Sequence, residues 1–330
     1  MKAQCIVFPK ALEATVGEID IPDLGPGQLL CRTLLTGVST GTETRVYRGK
    51  QRGAEFPLIP GYENLAVVEK AGSDTTVKPG ERLIVRTHLY DPAPYTKCWG
   101  SQVSHTLTDE GKLCRVPAGV RDEDAIFAKV SGISLHGVKR ARVAAGEWVV
   151  VVGLGLIGHF VVQHCVARGA KVIAVDTVAD RLALAQKAGA LHALDARDTN
   201  VVETAKEITG GGAAVAFDAT GVASVLEPTS RYLKPREWDD DLAHCPRLVL
   251  QGTVEDPVSL EYFALFRPEI DLITPRDCDT ADIADSLDLM ARKKIDPGIV
   301  AATRYSYRDC AEAYPRLVSR EIMRVVFTWT

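Results

Sequence analysis

The sequence predicts an α/β chain in which a doubly wound parallel sheet is inserted in a β-rich domain. Three observations carry that prediction. At 330 residues the chain exceeds one small core and suits two domains. From Glu147 onward, β-branched runs alternate with helix-like segments. On either side of that block, short apolar runs are broken by Gly and Pro, as β-rich domains require. The net charge of -4 supplies no basic field for nucleic acid. No apolar run approaches the roughly 18–20 residues of a membrane span. The start, "MKAQCIVFPK", lacks a signal-peptide core, so a cytoplasmic location is expected. The cysteines, Cys5, Cys31, Cys98, Cys114, Cys165, Cys245, Cys278 and Cys310, contain no C-x-x-C pair. They read as reduced, buried thiols rather than a zinc or disulfide framework.

The inserted block explains itself element by element. "EWVVVVGLGLIGHFVVQHCVARGAKVIAVD" holds a continuous Val run, a glycine turn, a helical stretch and a second β-branched run. A Val run without alternation suits a strand buried on both faces of a parallel sheet. "AVAFDATG", "RLVLQG" and "IDLIT" supply further strands. Gly153, Gly155 and Gly158 form G-x-G-x-x-G between the first strand and its helix, with Leu156 and Ile157 inside the turn. Gly153 permits the turn, Gly155 lets a pyrophosphate approach the backbone, and Gly158 lets helix and strand pack. The helix N-terminus then faces the phosphates. This is the Rossmann fingerprint, and it predicts a dinucleotide cofactor. Asp176, ending the second strand, should hold both adenosine ribose hydroxyls and repel a 2′-phosphate, which favours NAD over NADP. Arg181 stands near enough in sequence to accommodate that phosphate instead. Thr220 and Gly252, at the ends of later strand candidates, complete the expected cofactor-binding set.

In the flanks, "QLLCRTLLTGVS", "NLAVVEKAG" and "ERLIVRT" read as strands. Together with "TGVSTGTETRVYRG" (36–49), "PLIPGYENLAVVEKAG" (57–72), "VKPGERLIV" (77–85) and "KIDPGIVAATRYSYRDCAEAYPRL" (294–317), they resemble the medium-chain dehydrogenase/reductases of the alcohol dehydrogenase superfamily. The resemblance runs over nearly the whole chain. It implies a GroES-like substrate domain from residues 1–120 and 277–330, with a Rossmann domain from 121–276 between. It also implies a small-molecule substrate and homodimers or homotetramers joined through the last Rossmann strand, about Ile270–Thr274.

The same resemblance exposes departures. Zinc-dependent members hold their catalytic metal with Cys, His and a later Cys, Asp or Glu. Here those positions carry Thr40, Tyr62 in Gly61-Tyr62-Glu63, and Lys129. None is a good zinc ligand at neutral pH; Glu63, grouped with the catalytic candidates, could contact a cation, but one carboxylate is not a site. The lobe for structural zinc is missing too, so no metal is expected. The spellings "GVSTGTE" and "PGYEN" resemble the branch containing bacteriochlorophyllide a dehydrogenases. If the metal is replaced, donors must stabilise charge developing on the substrate oxygen. The expectation is that Thr40, Tyr62 and Lys129 converge. The Lys129 ammonium would stand in for the cation and lower the Tyr62 pKa toward the acid–base range. The competing reading makes Tyr62 a packing residue and leaves Lys129 in solvent.

Thr42 occupies the position of a proton-relay Ser or Thr, with a turn-stabilising role as its alternative. His136 is expected to pack at the domain junction, and His159 to lie on a helix face, with facing the pyrophosphate as its alternative. His88 and Trp99 fall in "THLYDPAPYTKCWGSQVSH", beside the expected substrate cleft, with packing as the default. The insertion "LKPREWDDDLAHCPRLVL", with Trp238 before Asp239, Asp240 and Asp241, reads as a solvated loop. The function expected first is a zinc-independent, NAD(H)-dependent oxidoreductase interconverting a secondary alcohol and a ketone, in a biosynthetic setting. The alternatives are an enoyl or quinone reductase, an enzyme using bound NAD for transient oxidation during elimination or epimerisation, and a nucleotide-binding protein with a decayed site.

Overall fold

The structure is a computed structural model that describes residues 1–236 and 245–330. Trp238 and the three aspartates beside it therefore lie outside the described residues. The chain forms two compact units. The first comprises Met1–Val130, Ile283–Ala291 and Ala301–Thr330; the second comprises Ser131–Asp282 and Arg292–Val300.

The second unit is built on six parallel strands. Their order across the sheet is His192–Asp195, Lys171–Asp176, Trp148–Val152, Val215–Asp218, Arg247–Leu250 and Asp271–Ile273. The Val run behaves as a doubly buried strand should. Val149 and Val151 pack on one face with Val172, Ala174 and Phe217, whereas Val150 and Val152 pack on the other with Ile173, Val175 and Ala216. Helix Leu156–Ala167 follows the first strand and runs to Arg168, where Gly169 turns out of the helix at φ +80. The sheet ends at Asp271–Ile273, an edge strand on which Leu272 is 42% exposed.

The first unit carries a sheet in the order Thr303–Ser306, Val325–Thr328, Gln28–Gly37, Glu63–Ala71, Arg82–Val85 and Leu113–Arg115. Only its first pair is parallel. Strand Gln28–Gly37 is the hub, because His105–Asp109 also pairs with it. Its register against Glu63–Ala71 shifts at Leu30/Cys31 and at Thr33/Leu35, and such bulges bend a strand. Antiparallel pairing of Val325–Thr328 with the hub sets Val326 opposite Gly37. That register delivers the residue before the strand, Arg324, to the end of the hub strand. Phe8, Tyr47, Tyr314 and Phe327 pack edge-on, stacked or tilted into the adjoining core.

All eight cysteines are free; Cys98 and Cys245 are partly exposed and the rest buried. Burial pushes Cys5 and Cys31 up to about 12, so both act as small apolar groups. Among the described residues no helix is long and apolar enough to cross a membrane.

Candidate functional site

Two constellations stand out, one in each unit. In the second unit the glycine turn divides its labour among three positions. Gly153 sits at φ +87, and a Cβ there would lie 2.7 Å from the Thr220 side chain. A Cβ on Gly158 would come within 1.9 Å of the Gly153 carbonyl oxygen, so only glycine lets the helix close on the turn. Gly155, the N-cap, faces open space: a Cβ there meets nothing within 4 Å. Two glycines are therefore demanded by packing, while the third leaves bare backbone at the N-terminus of a twelve-residue helix.

Asp176 lies at the end of the second strand, almost fully buried. Its carboxylate accepts from the backbone N–H of Leu154 at 2.6 Å and of Val178 at 2.9 Å, tying the turn to the neighbouring loop. Arg181 approaches the same carboxylate at 3.7 Å. Thr220 is held by Asp218, which accepts from its N–H at 2.8 Å and its hydroxyl at 2.6 Å. A Cβ on Gly252 would meet the Gly221 nitrogen at 2.5 Å, so this glycine serves close backbone packing. Bare backbone at a helix N-terminus and a carboxylate at the next strand end fit a nicotinamide dinucleotide.

In the first unit, polar side chains gather beneath the hub strand. Arg324, with no exposed surface, donates to both Glu63 carboxylate oxygens at 2.9 and 2.5 Å and to the Val38 carbonyl at 2.7 Å. The guanidinium passes so close to Gly37 that a Cβ there would stand 2.2 Å from it. Glu43 lies beside this pair, fully buried. It accepts from the Tyr314 hydroxyl and from Gln102 at 3.0 Å, while its other oxygen has no partner among the described residues. Burial pushes the Glu43 carboxyl up to about 8, with the Glu63 charge acting in the same direction, so it is neutral at pH 7. Gln102 also accepts from Thr36 at 2.5 Å, and Thr36 accepts from the Trp329 indole at 2.9 Å.

At the edge of this network the Tyr62 hydroxyl donates to Ser39 Oγ at 2.7 Å, and Ser39 also accepts the Thr42 N–H at 3.3 Å. The indole of Trp99 packs edge-on against the Tyr62 ring, 5.7 Å between centroids.

Several expectations need correction. Tyr62 is not shifted toward the acid–base range. Burial raises its pKa and the Glu63 charge adds to that, outweighing the Ser39 hydrogen bond and Arg324. A phenolate there would be poorly solvated beside a carboxylate, so the phenol stays protonated. Thr40 is exposed, and its carbonyl merely accepts the Thr44 hydroxyl at 2.6 Å; the hydroxyl beside Tyr62 belongs to Ser39. Glu63 is committed to Arg324. Lys129 is buried on helix Ala128–Arg140 rather than solvated. Thr42 opens the short helix Thr42–Tyr47 and contributes its N–H to the Ser39 turn. His159 lies on helix Leu156–Ala167 as expected and is fully buried, with neither ring nitrogen partnered among the described residues. His136 bonds Asp282 at 2.8 Å, and His88 is buried with Nδ1 3.2 Å from Thr106. A hydroxyl, a neutral phenol and an ammonium do not fit zinc, which takes thiolate, imidazole or free carboxylate. Among the described residues no three His, Cys, Asp or Glu side chains are grouped to hold a metal.

Ser39, Glu43, Gln102, Tyr314 and Arg324 carry no local sequence signal. Arg324 contacts Glu63 across 261 positions, and only a lone arginine before the apolar run "VVF" hints at it.

Comparison with known proteins places this architecture. The model of the alcohol dehydrogenase GroES-like domain matches residues 25–153, and that of the zinc-binding dehydrogenase matches 157–292. Together they span most of the chain, which belongs to the medium-chain dehydrogenase/reductase, or alcohol dehydrogenase, superfamily. An alcohol dehydrogenase of Rhizobium meliloti is 34% identical over 217 residues, covering 59% of this chain and 64% of that protein. The chain thus spans less than two thirds of that relative's length. A putative zinc-binding dehydrogenase of Sinorhizobium meliloti bound to NADP shares the fold at 20% identity, TM-score 0.84 and 99% coverage of both chains. A short chain alcohol dehydrogenase of E. coli complexed with NADH does so at 19% identity, TM-score 0.85 and the same coverage.

Proposed function

We propose that this chain is a zinc-independent, NAD(H)-dependent oxidoreductase that interconverts a secondary alcohol and a ketone. The observation that carries the proposal is the Tyr62–Ser39 hydroxyl pair, standing where the family resemblance would set metal donors. When bound, the nicotinamide supplies or accepts the hydride. The chain's own residues then manage the oxygen. A phenol held protonated suits donation of a hydrogen bond to a ketone oxygen gaining charge. Ser39 keeps its own proton free to donate while it accepts from Tyr62, so the pair can pass a proton between two oxygens. The Lys129 ammonium is assigned the electrostatic part of the metal's role.

Asp176 supports NAD over NADP. Its buried carboxylate opposes a 2′-phosphate, and the arginine that would welcome one is already drawn toward that carboxylate. A biosynthetic setting and the bacteriochlorophyllide a dehydrogenase-like branch rest on the spellings "GVSTGTE" and "PGYEN". Homo-oligomerisation through the edge strand Asp271–Ile273 belongs to the same reading. It is supported by exposed Leu272 and by Tyr262, Phe263 and Phe266, whose rings pack on one another, Tyr262 stacked on Phe266 and Phe263 edge-on to both, at 49–64% exposure.

The test is NADH-linked reduction of a ketone panel by wild type, Tyr62→Phe and Lys129→Ala. Each variant should lose roughly 10²–10³-fold in kcat, the span for loss of one donor to a developing oxyanion. Wild-type rates in both variants would refute the assignment.

A further inference from the structure

Trp99 is the residue that neither the cofactor turn nor the hydroxyl pair accounts for. A large apolar side chain should be buried, yet this indole is 47% exposed. Its backbone is also costly, at φ +67, a region that bulky residues avoid. Such a conformation persists only where the surroundings over-determine it. Here they do. The Cys98 N–H donates to the Ile59 carbonyl at 2.9 Å, and the Ser101 N–H to the Gly61 carbonyl at 2.9 Å. The Gly100 carbonyl accepts the Tyr90 hydroxyl at 2.8 Å. A Cβ at Gly100 would lie 2.7 Å from that same hydroxyl, so the following residue must be glycine for the clamp to close. Three hydrogen bonds within four residues thus hold the indole outward, against the ring of Tyr62.

We infer that Trp99 is the substrate-specificity residue of the Tyr62–Ser39 site, and that it accepts a flat, largely apolar ring attached to the reacting carbon. The inference rests on the alcohol–ketone reading above and names its substrate class. Polar donors are concentrated at one point, the Tyr62–Ser39 pair, while the neighbouring exposed surface is an indole. That pairing suits a ligand with one oxygen function on a flat ring. A polyol, which needs donors and acceptors along its length, would gain no hydrogen bonds from the indole face. Stacking on an aromatic platform favours planar rings over branched aliphatic groups of similar size.

The test compares acetophenone with 3-methyl-2-butanone in NADH-linked reduction, and follows acetophenone binding by tryptophan fluorescence. Trp99→Gly removes the indole and fits the left-handed backbone, so the fold is preserved; Trp99→Phe keeps a ring. Trp99→Gly should lose about tenfold in kcat/KM for acetophenone through KM, with the aliphatic ketone changed less than about twofold. Trp99→Phe should restore most of the loss. Equal losses on both ketones, no loss on either, or failure of acetophenone to bind wild type would overturn the inference. If acetophenone binds and Trp99→Gly abolishes binding, but no ketone is reduced, the platform stands and the alcohol–ketone reading falls.

Discussion

The two units assemble their chemistry over very different distances. In the second unit, the turn and the carboxylate that answers it lie between Gly153 and Asp176, and much of the work is done by backbone. Gly155 offers bare N-terminal backbone, Gly158 offers nothing but its lack of a side chain, and Asp176 ties two loops by their amides. In the first unit the buried network is built mainly of side chains, and its partners are remote. Glu43 meets Tyr314 across 271 positions, and Arg324 meets Glu63 across 261. A backbone device tolerates side-chain drift provided its glycines remain. A side-chain network must change together, since a buried charge left alone is costly. The difference fits a nucleotide turn that keeps its pattern while a side-chain network changes as a set.

Breaking the network should produce the largest effect. Arg324→Met leaves the Glu63 carboxylate buried without its partner, a loss of about 3–5 kcal/mol. Calorimetry should show a lower Tm, and one within a degree of wild type would mean that the pair is dispensable. The nucleotide turn predicts a split instead. Gly158→Ala collides with the Gly153 carbonyl and should lower both Tm and NAD affinity. Gly155→Ala enters open space and should leave Tm unchanged while weakening NAD about tenfold or more, since the added methyl stands where the pyrophosphate must approach. Titration with NAD alongside melting curves separates the two; parallel behaviour would deny the division of labour.

A smaller effect is read from pH. Glu43 is raised from 4.5 to about 8, so the native state holds a proton that the unfolded chain has released. Its stabilisation is fully present below about 4.5 and is lost as pH rises through about 8. In the second unit His159 and His164 run the other way. Burial lowers both from 6.5 to about 4, so their contribution is present above 6.5 and is lost as pH falls through about 4. Glu43→Gln keeps the shape but removes the titration. It should recover about 2–4 °C at pH 8.5 and little at pH 5. An unchanged pH profile of Tm would show that another group controls the alkaline loss.

What could be read from the sequence follows the same division. The Val run, the glycine spacing and Asp176 are local signals, and the structure sets them on adjacent strands and their connecting turn. Strands Gln28–Gly37, Glu63–Ala71 and Arg82–Val85 also follow their β-branched runs. The site beside Tyr62 was only half legible. Motif spelling pointed to Thr40, but the turn before helix Thr42–Tyr47 directs Ser39 inward and leaves Thr40 outside. The tyrosine's protonation rests first on burial and then on the Glu63 charge, against Arg324, and nothing local announces its burial or an arginine arriving from the last strand. Trp99 was visible as a residue but not as a conformation, because its φ is set by the hydrogen bonds on either side.

The central claim is that hydroxyls rather than a metal manage the substrate oxygen. The most direct measurement is NADH-linked ketone reduction before and after exhaustive dialysis against 1,10-phenanthroline, with metal content determined on the same samples. The account predicts an unchanged kcat, with no dependence on residual zinc. Loss of activity on chelation, restored by stoichiometric zinc, would contradict it.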